Sequence, residues 1–548
     1  MGTELALTAD DWVRRGDAHA AGTAFHHGDC LDARGLIDLF AGRSTTEFPA
    51  VAAELNGLFS LVLERDDTVV VVSDRIGSRA VFYSTGDPPH VSDHFGALRS
   101  AVGGEPVTRD RELEFRMATY VSGEATLDPS IRKARPGTVL RVDAGGDVSD
   151  RQYYSFRDDP RPERYGTDRY AGWTDALRRA FERVRAVADG RQVVMGLSGG
   201  HDSRLIVTML DRLGFDDVVL FTYSNIQDAD YDLRVAKRVV EDVGFDHFEV
   251  ELTRDGVLAG HRSDLWREIV RRLGQSGMSH THPVEMAIQE GLRSADAVED
   301  DALRLHGHQL FGAGSFVPRR LLGAGDSTDV RAVVDAVYEQ HYSRYGFDDP
   351  AVETVKARIE RTVRADPAPT GGPFEAVERW YWRERIPNFL TMRPLVLMAF
   401  DVWFPLMDAE LLAFWNGLSR WERHDKRLYE RWVDDLYRET YGGRPTTSAE
   451  LKRAERMERA SGLERLFWTL RYSRLGEYVE ASRLRPYAGV VARGIRERNG
   501  TADPVEIYRS DPLLACVDEE RFEREYTGVE DFRYFLADGI LRTLDTGR

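Results

Sequence analysis

Apolar residues along the 548-residue chain follow two rhythms. From about residue 10 to 155 they come in short runs broken by turn residues. In GLFSLVLERDDTVVVVSDRIGSRAVFYSTGD, two runs flank Glu64-Arg65-Asp66-Asp67 and a third, AVFYS, closes at Gly86-Asp87-Pro88. GTVLRVDAGGDVS forms a similar pair around Gly145-Gly146. Runs of this length between Gly, Pro and Asp punctuation predict antiparallel strands. Arg157 to Asp168, RDDPRPERYGTD, is charged and proline-bearing with no apolar period, which predicts a linker.

Beyond the linker the period lengthens. In RYAGWTDALRRAFERVRAVADG, Trp173, Leu177, Phe181 and Val184 share one helical face. The strand QVVMGLS follows, then a helix, the strand DDVVLFTYS, the helix YDLRVAKRVVEDVG and the strand HFEVEL. Strands alternating with helices at this pitch predict a parallel sheet covered on both faces. From about 330 to 548 the pattern is mainly helical, with breaks at ADPAPTGGP and GGRPTTSAE. A chain this long exceeds one core, and two domains are expected, 1–156 and 169–548.

Composition narrows the classes. Hydrophobic residues make up 42% and no window of about 18 apolar residues occurs, so a soluble protein with no membrane partner is expected. The start, MGTELALTADDWVRRGD, has neither a basic nor an apolar signal region, and the two cysteines, Cys30 and Cys516, lie far apart, so a reducing cytoplasm is expected. Cys30 itself reads as a small buried residue. The balance of 74 basic and 92 acidic residues, -18 overall, repels phosphate backbones and argues against nucleic acid. All but five of the basic residues are arginine; a salt-rich, halophile-like cytoplasm and a GC-rich genome both fit that bias.

The candidate chemistry sits in VVMGLSGGHDSRLI, Val193 to Ile206. In a parallel α/β sheet, ligands lie at the carboxyl ends of strands, where SGGHDS falls. Gly199 and Gly200 permit a tight turn with inward N–H groups, and the following helix end adds its dipole, an anion cradle for pyrophosphate. Ser198 and Ser203 add hydroxyls, and Asp202 can hold Mg²⁺ between phosphate oxygens. The string lacks the Gly-Lys-Ser/Thr ending of the Walker loop and the Gly-x-Gly-x-x-Gly spacing. A glycine pair after a strand also suits a plain strand-to-helix turn.

The full string Ser-Gly-Gly-x-Asp-Ser resembles the pyrophosphate loop of ATP pyrophosphatases, which cleave ATP between the α and β phosphates. The wider chain is similar to the glutamine-hydrolysing (class B) asparagine synthetase family, which also includes β-lactam synthetase. ELNGLFSLVLERDDTVVVVSDRIGSRAVFYS and YVSGEATLDPSIRKARPGTVLRVD resemble its amino-terminal glutaminase domain. FTYSNIQDADYDLRVAKRVVEDVGFDHFEVEL resembles the segment after the loop, and VWFPLMDAELLAFWNGL, with Pro405-Leu406-Met407-Asp408, its Pro-Phe-Leu-Asp element. The resemblance implies an α/β protein: a glutaminase-like (Ntn hydrolase-type) β-sandwich with helices, then a parallel-sheet ATP-pyrophosphatase (adenine nucleotide α-hydrolase-like) domain with a helical extension. It also implies ATP and Mg²⁺ as cofactors. Leu197, Thr222, Tyr223 and Ser224 would lie beside adenosine, and Ser198, Gly199, Gly200, His201, Asp202 and Ser203 would hold pyrophosphate.

The chain departs from that family twice. The family's nucleophile is an amino-terminal cysteine acting with its own α-amine, and here residue 2 is Gly2. Cys30 is internal, so the first domain is expected to be a degenerate glutaminase without glutaminase activity. Where the family has Gly-Ala-Asp-Glu-Leu-Phe-Gly-Gly, this chain has HGHQLFGAG, His306 to Gly314. His308 stands for the aspartate that helps hold Mg²⁺ and Gln309 for the glutamate, and imidazole suits Mg²⁺ less well than carboxylate. Asp202 with waters, or a nearby Asp228, Asp230 or Asp232, would then carry the metal, or ATP cleavage is lost. Gly307 is placed with the nucleotide, and His308 joins Asp202 and Lys426 as the catalytic group.

Lys426, in RHDKRLYERW, resembles the family's Lys-x-x-Leu-Arg element and would neutralise departing pyrophosphate; a solvated helix residue is the other reading. Glu384, Arg385 and Arg393 suit an acyl-acceptor pocket or simply an amphipathic helix. The His-x-His of SHTHP, Ser279 to Pro283, reads as a loop and helix cap rather than a metal pair. The expected function is an ATP-dependent ligase that adenylates a carboxylate, aspartate by family default, and joins it to ammonia or an amine. A homodimer or a separate ammonia supplier is compatible with it. A catalytically silent nucleotide-binding or regulatory protein is the alternative, and a tRNA-modifying pyrophosphatase is disfavoured by the acidic charge.

Overall fold

The structure, a computed structural model, describes residues 3–459 other than 10, 66, 157–167, 224–230, 251–276, 278–287, 289–290, 326–328, 344–348, 367–370, 392–400 and 445, together with Arg465 and Thr469. Before residue 157 the strands are β1 (Glu4–Ala6), β2 (Val13–Arg15), β3 (Ala18–His26), β4 (Asp29–Leu31), β5 (Asn56–Arg65), β6 (Thr68–Ser73), β7 (Phe82–Ser84), β8 (His90–Ser92), β9 (Ile131–Lys133), β10 (Thr138–Asp143) and β11 (Val148–Gln152). They form two sheets: β11-β10-β6-β5-β3-β2, with β4 paired to β3, and β1-β8-β7-β9.

The continuous apolar run of β5 has a geometric cause, because its successive side chains serve two cores. Phe59, Leu61 and Leu63 pack on Leu36, Ile37, Phe40 and Phe48 of the helices Ala33–Phe40 and Phe48–Glu54. Val62 faces the other way, onto Val81, Tyr83 and Val91 of the smaller sheet. The region is therefore a helix layer and two sheets, and the run AVFYS, which reads like the next strand of one sheet, belongs to the second. The two sheets are antiparallel except for β1, which pairs parallel with β8.

The later strands β12 (Val193–Gly196), β13 (Val218–Tyr223), β14 (Asp246–Val250), β15 (Leu303–Leu305) and β16 (Asp401–Trp403) form an all-parallel sheet ordered β14-β13-β12-β15-β16. The protein is thus mixed α/β with a parallel sheet. β16 lies in a stretch expected to be helical; a three-residue strand leaves too short a period to be distinguished from helix. The order reverses at β12, and at such a switch point a crevice opens beyond the strand ends. Trp173, Leu177, Phe181 and Val184 of the helix Arg169–Ala188 are all buried as their spacing predicts, sharing a core with Met195, Leu205, Trp432 and Tyr437. Asp168 caps that helix by accepting from the Ala171 amide at 3.1 Å.

Phe25 and Leu58 from the amino-terminal sheets, with Ile76 and Phe156 from segments that follow β6 and β11, join the same core. The seam is also polar. Asp408 accepts from Asn56 Nδ2 at 2.9 Å and from both arms of Arg183 at 2.6 and 2.8 Å, while Asn56 Oδ1 accepts from the Ala409 amide. The buried Lys133 ammonium donates to the Val121 carbonyl at 2.9 Å and to Asn388 Oδ1. Burial lowers its pKa to about 7 despite the nearby Glu384 and Glu114. Among the described residues no helix is long and apolar enough to cross a membrane.

Candidate active site

The glycine loop leaves β12 toward the crevice. Leu197 is buried and its amide donates to the Phe221 carbonyl at 2.8 Å, which fixes the exit from the sheet. The chain turns through Ser198–Gly200 into the helix His201–Arg212, whose N-cap, Gly200, offers no side-chain acceptor. The first-turn amides of that helix therefore carry uncancelled positive potential. Asp202 lies in the same turn.

The three loop amides all have protein acceptors. Ser198 N donates to Ser203 Oγ at 3.1 Å, Gly199 N to Asp232 Oδ1 at 2.9 Å and Gly200 N to Ser198 Oγ at 3.3 Å. Ser448, the first residue of the helix Ser448–Arg459, closes the loop from outside: its amide donates to the Gly199 carbonyl at 3.3 Å and its hydroxyl to Asp232 Oδ1 at 2.5 Å. Only glycine fits at 199. A Cβ there would overlap Ser448 Oγ and lie 2.7 Å from Ser448 Cβ and 2.8 Å from Asp232 Oδ1.

Asp202 is held from across the fold. Tyr429 OH, on the helix Arg427–Tyr441, donates to Asp202 Oδ1 at 2.7 Å. Burial first, then the Asp202 charge, pushes that phenol well above its ordinary pKa, so it remains a donor. The segment after β15 reaches the same place, since a Cβ on Gly307 would lie 3.5 Å from Asp202 Cβ. His306 and His308 flank it with rings stacked at 5.5 Å, each ring 5.7 Å from that of Phe404. Burial, with Arg304 and His308 adding to it, holds the His306 pKa well below its ordinary value, so this imidazole is neutral.

Lys426 enters from the start of the Tyr429 helix. Its side chain passes over Gly312, where a Cβ would overlap Lys426 Cε and lie 2.7 Å from Nζ. Gln309 shapes that passage by accepting the Gly312 amide at 2.7 Å. Asp425 and Lys426 are both left-handed, with φ of 66° and 61°, a strained pair for residues with side chains. Glu430 completes the group: burial raises its pKa, His201 and Lys426 oppose the rise, and Asp202 adds to it. Asp202, His201, Lys426 and Glu430 thus share one electrostatic neighbourhood at the strand ends.

Several residues of interest sit otherwise. Thr222 is buried, its hydroxyl donating to the Leu197 carbonyl at 2.8 Å and lying 3.0 Å from His247 Nε2. Tyr223 is exposed. Ser224, Asp228, Asp230, Ser279 to Pro283, Arg393 and Cys516 lie outside the described residues. Glu384 is buried at the seam, accepting from the Gly123 amide and from Arg383 Nε. Cys30, expected to be buried, is exposed on the β3–β4 hairpin, where short strands leave it at the surface. Partial burial, then Asp189 and Asp32, raises its thiol pKa and makes it a poor nucleophile.

Tyr429, Ser448 and the amide-accepting role of Asp232 were not apparent from sequence. Tyr429 lies in the first turn of the helix that Lys426 precedes, so nearness to Lys426 in sequence was the available signal. For Mg²⁺, Asp202 supplies one carboxylate with one oxygen already engaged by Tyr429. Among the described residues no three His, Cys, Asp or Glu ligand atoms converge at the loop.

Residues 172–292 match the asparagine synthase family, and this stretch carries an asparagine synthase domain. It contains β12, β13, β14, the glycine loop and Asp232. Among solved structures the chain is similar to the NH3-dependent NAD synthetase from Campylobacter jejuni, at 14% identity and TM-score 0.20, covering 34% of this chain and 94% of that one. It is also similar to NMN synthetase from Francisella tularensis, at 10% identity and TM-score 0.19, covering 54% and 95%. A third is the glutamine phosphoribosylpyrophosphate amidotransferase from B. subtilis, at 13% identity and TM-score 0.18, covering 46% and 75%. A search of curated proteins finds no match.

Proposed function

We propose that this protein is an ATP-dependent, AMP- and pyrophosphate-forming amide ligase. The observation that carries the reading is the Ser198–Ser203 loop at the switch point of the parallel sheet, inside the asparagine synthase match and leading into an uncapped helix. Uncapped amides beside Asp202 suit a nucleotide that arrives with Mg²⁺. With one carboxylate there, Asp202 would hold the ion alongside phosphate oxygens and waters, and the ion would offset charge on the phosphates.

The chemistry assigned to the chain's own groups is as follows. A substrate carboxylate, with aspartate the first candidate, attacks the α-phosphorus and pyrophosphate leaves. The helix-end amides and Lys426 stabilise charge building on the departing oxygens. Ammonia or an amine then attacks the acyl carbon, AMP leaves, and the nitrogen gives up its proton. His306 and His308 stack beside Asp202 at that point, and His308 is the group assigned to accept the proton. In this reading residues 1–156 are a glutaminase-like sandwich and 169–548 the ligase domain.

A second reading, a catalytically silent nucleotide-binding or regulatory protein, is favoured by Asp232 and Ser448 engaging the loop. Pyrophosphate and AMP release from ATP decides between them, measured with aspartate and ammonium, aspartate and glutamine, and a panel of amino acids. Release that disappears in Asp202→Ala supports the ligase. ATP binding without release under any condition refutes it.

A further inference from the structure

A second cluster of chemically capable side chains lies on the β3–β4 hairpin. Adjacent strand residues point to opposite faces. His26 and His27 do not, because His27 leaves the strand with φ 52° and Gly28 follows with φ 100°. The turn swings both imidazoles to one side, with ring centroids 4.1 Å apart and planes tilted by 46°. Both Nε2 atoms approach the same oxygen, Glu54 Oε2: His26 at 3.0 Å and His27 at 3.2 Å.

Glu54 is the last residue of the helix Phe48–Glu54. A carboxylate there adds to the negative end of the helix dipole, so the site favours positive charge. Arg75 already serves the backbone of this helix end, donating to the Leu55 carbonyl at 3.1 Å and the Ala53 carbonyl at 2.5 Å. Among the described residues the Glu54 carboxylate is met by the two histidines.

We propose that His26, His27 and Glu54 form a binding site for a borderline divalent transition ion of the Zn²⁺ class. Metal–ligand bonds of about 2.0–2.1 Å in a tetrahedron place ligand atoms roughly 3.3 Å apart, close to the two separations observed. Two imidazoles and one carboxylate suit Zn²⁺, Co²⁺, Ni²⁺ or Cu²⁺, whereas Mg²⁺ and Ca²⁺ favour all-oxygen sets. Side-chain exposures of 20%, 70% and 52% leave the remaining coordination positions to water or an added ligand. A bound ion ties the hairpin tip to the helix that runs into Asn56, the residue that meets Asp408 and Ala409 at the seam. The left-handed backbone of His27 is the strain that this arrangement retains.

Calorimetric titration of the full chain with Zn²⁺, and with Co²⁺ followed by its visible absorption, tests the site. One ion is expected to bind through it, with a Co²⁺ spectrum of nitrogen and oxygen ligation. His27→Ala and Glu54→Gln should each weaken binding by more than about tenfold. His27 is exposed at a turn, and the Glu54→Gln variant keeps side-chain volume, so circular dichroism should show both folded. Absence of binding by the unaltered chain overturns the proposal. So does binding that survives both substitutions unchanged, because the ion would then lie elsewhere.

Discussion

Gly199→Ala tests whether the helix beginning at Ser448 closes the glycine loop. The added methyl would overlap Ser448 Oγ and sit 2.7 Å from Ser448 Cβ. The hydroxyl can rotate aside, but Ser448 Cβ at 2.7 Å is fixed to the backbone, so the helix start must retreat or the loop must tilt. Forcing extra volume into a packed contact costs about 1–3 kcal/mol. Tilting the loop also loosens the Gly199 N–H bond to the Asp232 carboxylate, a class of contact that contributes about 1.5–3 kcal/mol. A loss of roughly 3 kcal/mol is expected for the single variant. Ser448→Gly alone gives up one hydroxyl bond and should cost about 1 kcal/mol. Combined, the two should cost less than their sum, because Ser448→Gly deletes both obstructing atoms and leaves only the mobile Asp232 carboxylate at 2.8 Å. A coupling of at least about 1 kcal/mol is expected in urea unfolding followed by circular dichroism. Additivity within about 0.5 kcal/mol would show that residues 199 and 448 do not touch and would refute the closed loop.

Lys426→Met keeps a long chain over Gly312 and removes the charge. Turnover of ATP to pyrophosphate should fall by about 10²-fold or more with little change in melting temperature, and an unchanged rate would remove Lys426 from the catalytic group. Lys133→Met addresses the seam. The Lys133 pKa is about 7 in the folded chain against an ordinary value near 10.4, so between those values the unfolded state holds more protons and stability rises with pH. The substitution should flatten that rise in melts between pH ~7 and ~10, and an unaltered slope would mean Lys133 is not buried as described.

Much of the framework was legible because burial on one side of an element leaves a period. Trp173, Leu177, Phe181 and Val184 announced a helix face, and β5 and β6 announced a hairpin. The loop could be placed at a strand end because SGGHDS follows an apolar run. The partners of that loop were not legible. Tyr429 meets Asp202, and Ser448 meets Gly199, only because two late helices pack back on the sheet's helices: Arg427–Tyr441 on His201–Arg212, and Ser448–Arg459 on Tyr231–Val243. No local pattern records such a crossing. The assignment of AVFYS to a second sheet was hidden for a related reason, since strands buried on both faces look alike whichever sheet they join.

The carboxylate of Asp232 gives the loop a kinetic character. A phosphate group that takes the Gly199 amide must first displace that carboxylate, which then stays close by as a like charge. Entry is therefore favoured for a ligand that brings its own cation, and departure is hastened once the cation's hold weakens. In the proposed ligase reading Asp232 would act as a return spring, shortening the stay of pyrophosphate after bond cleavage and restoring the closed loop, with Ser448 seated on it.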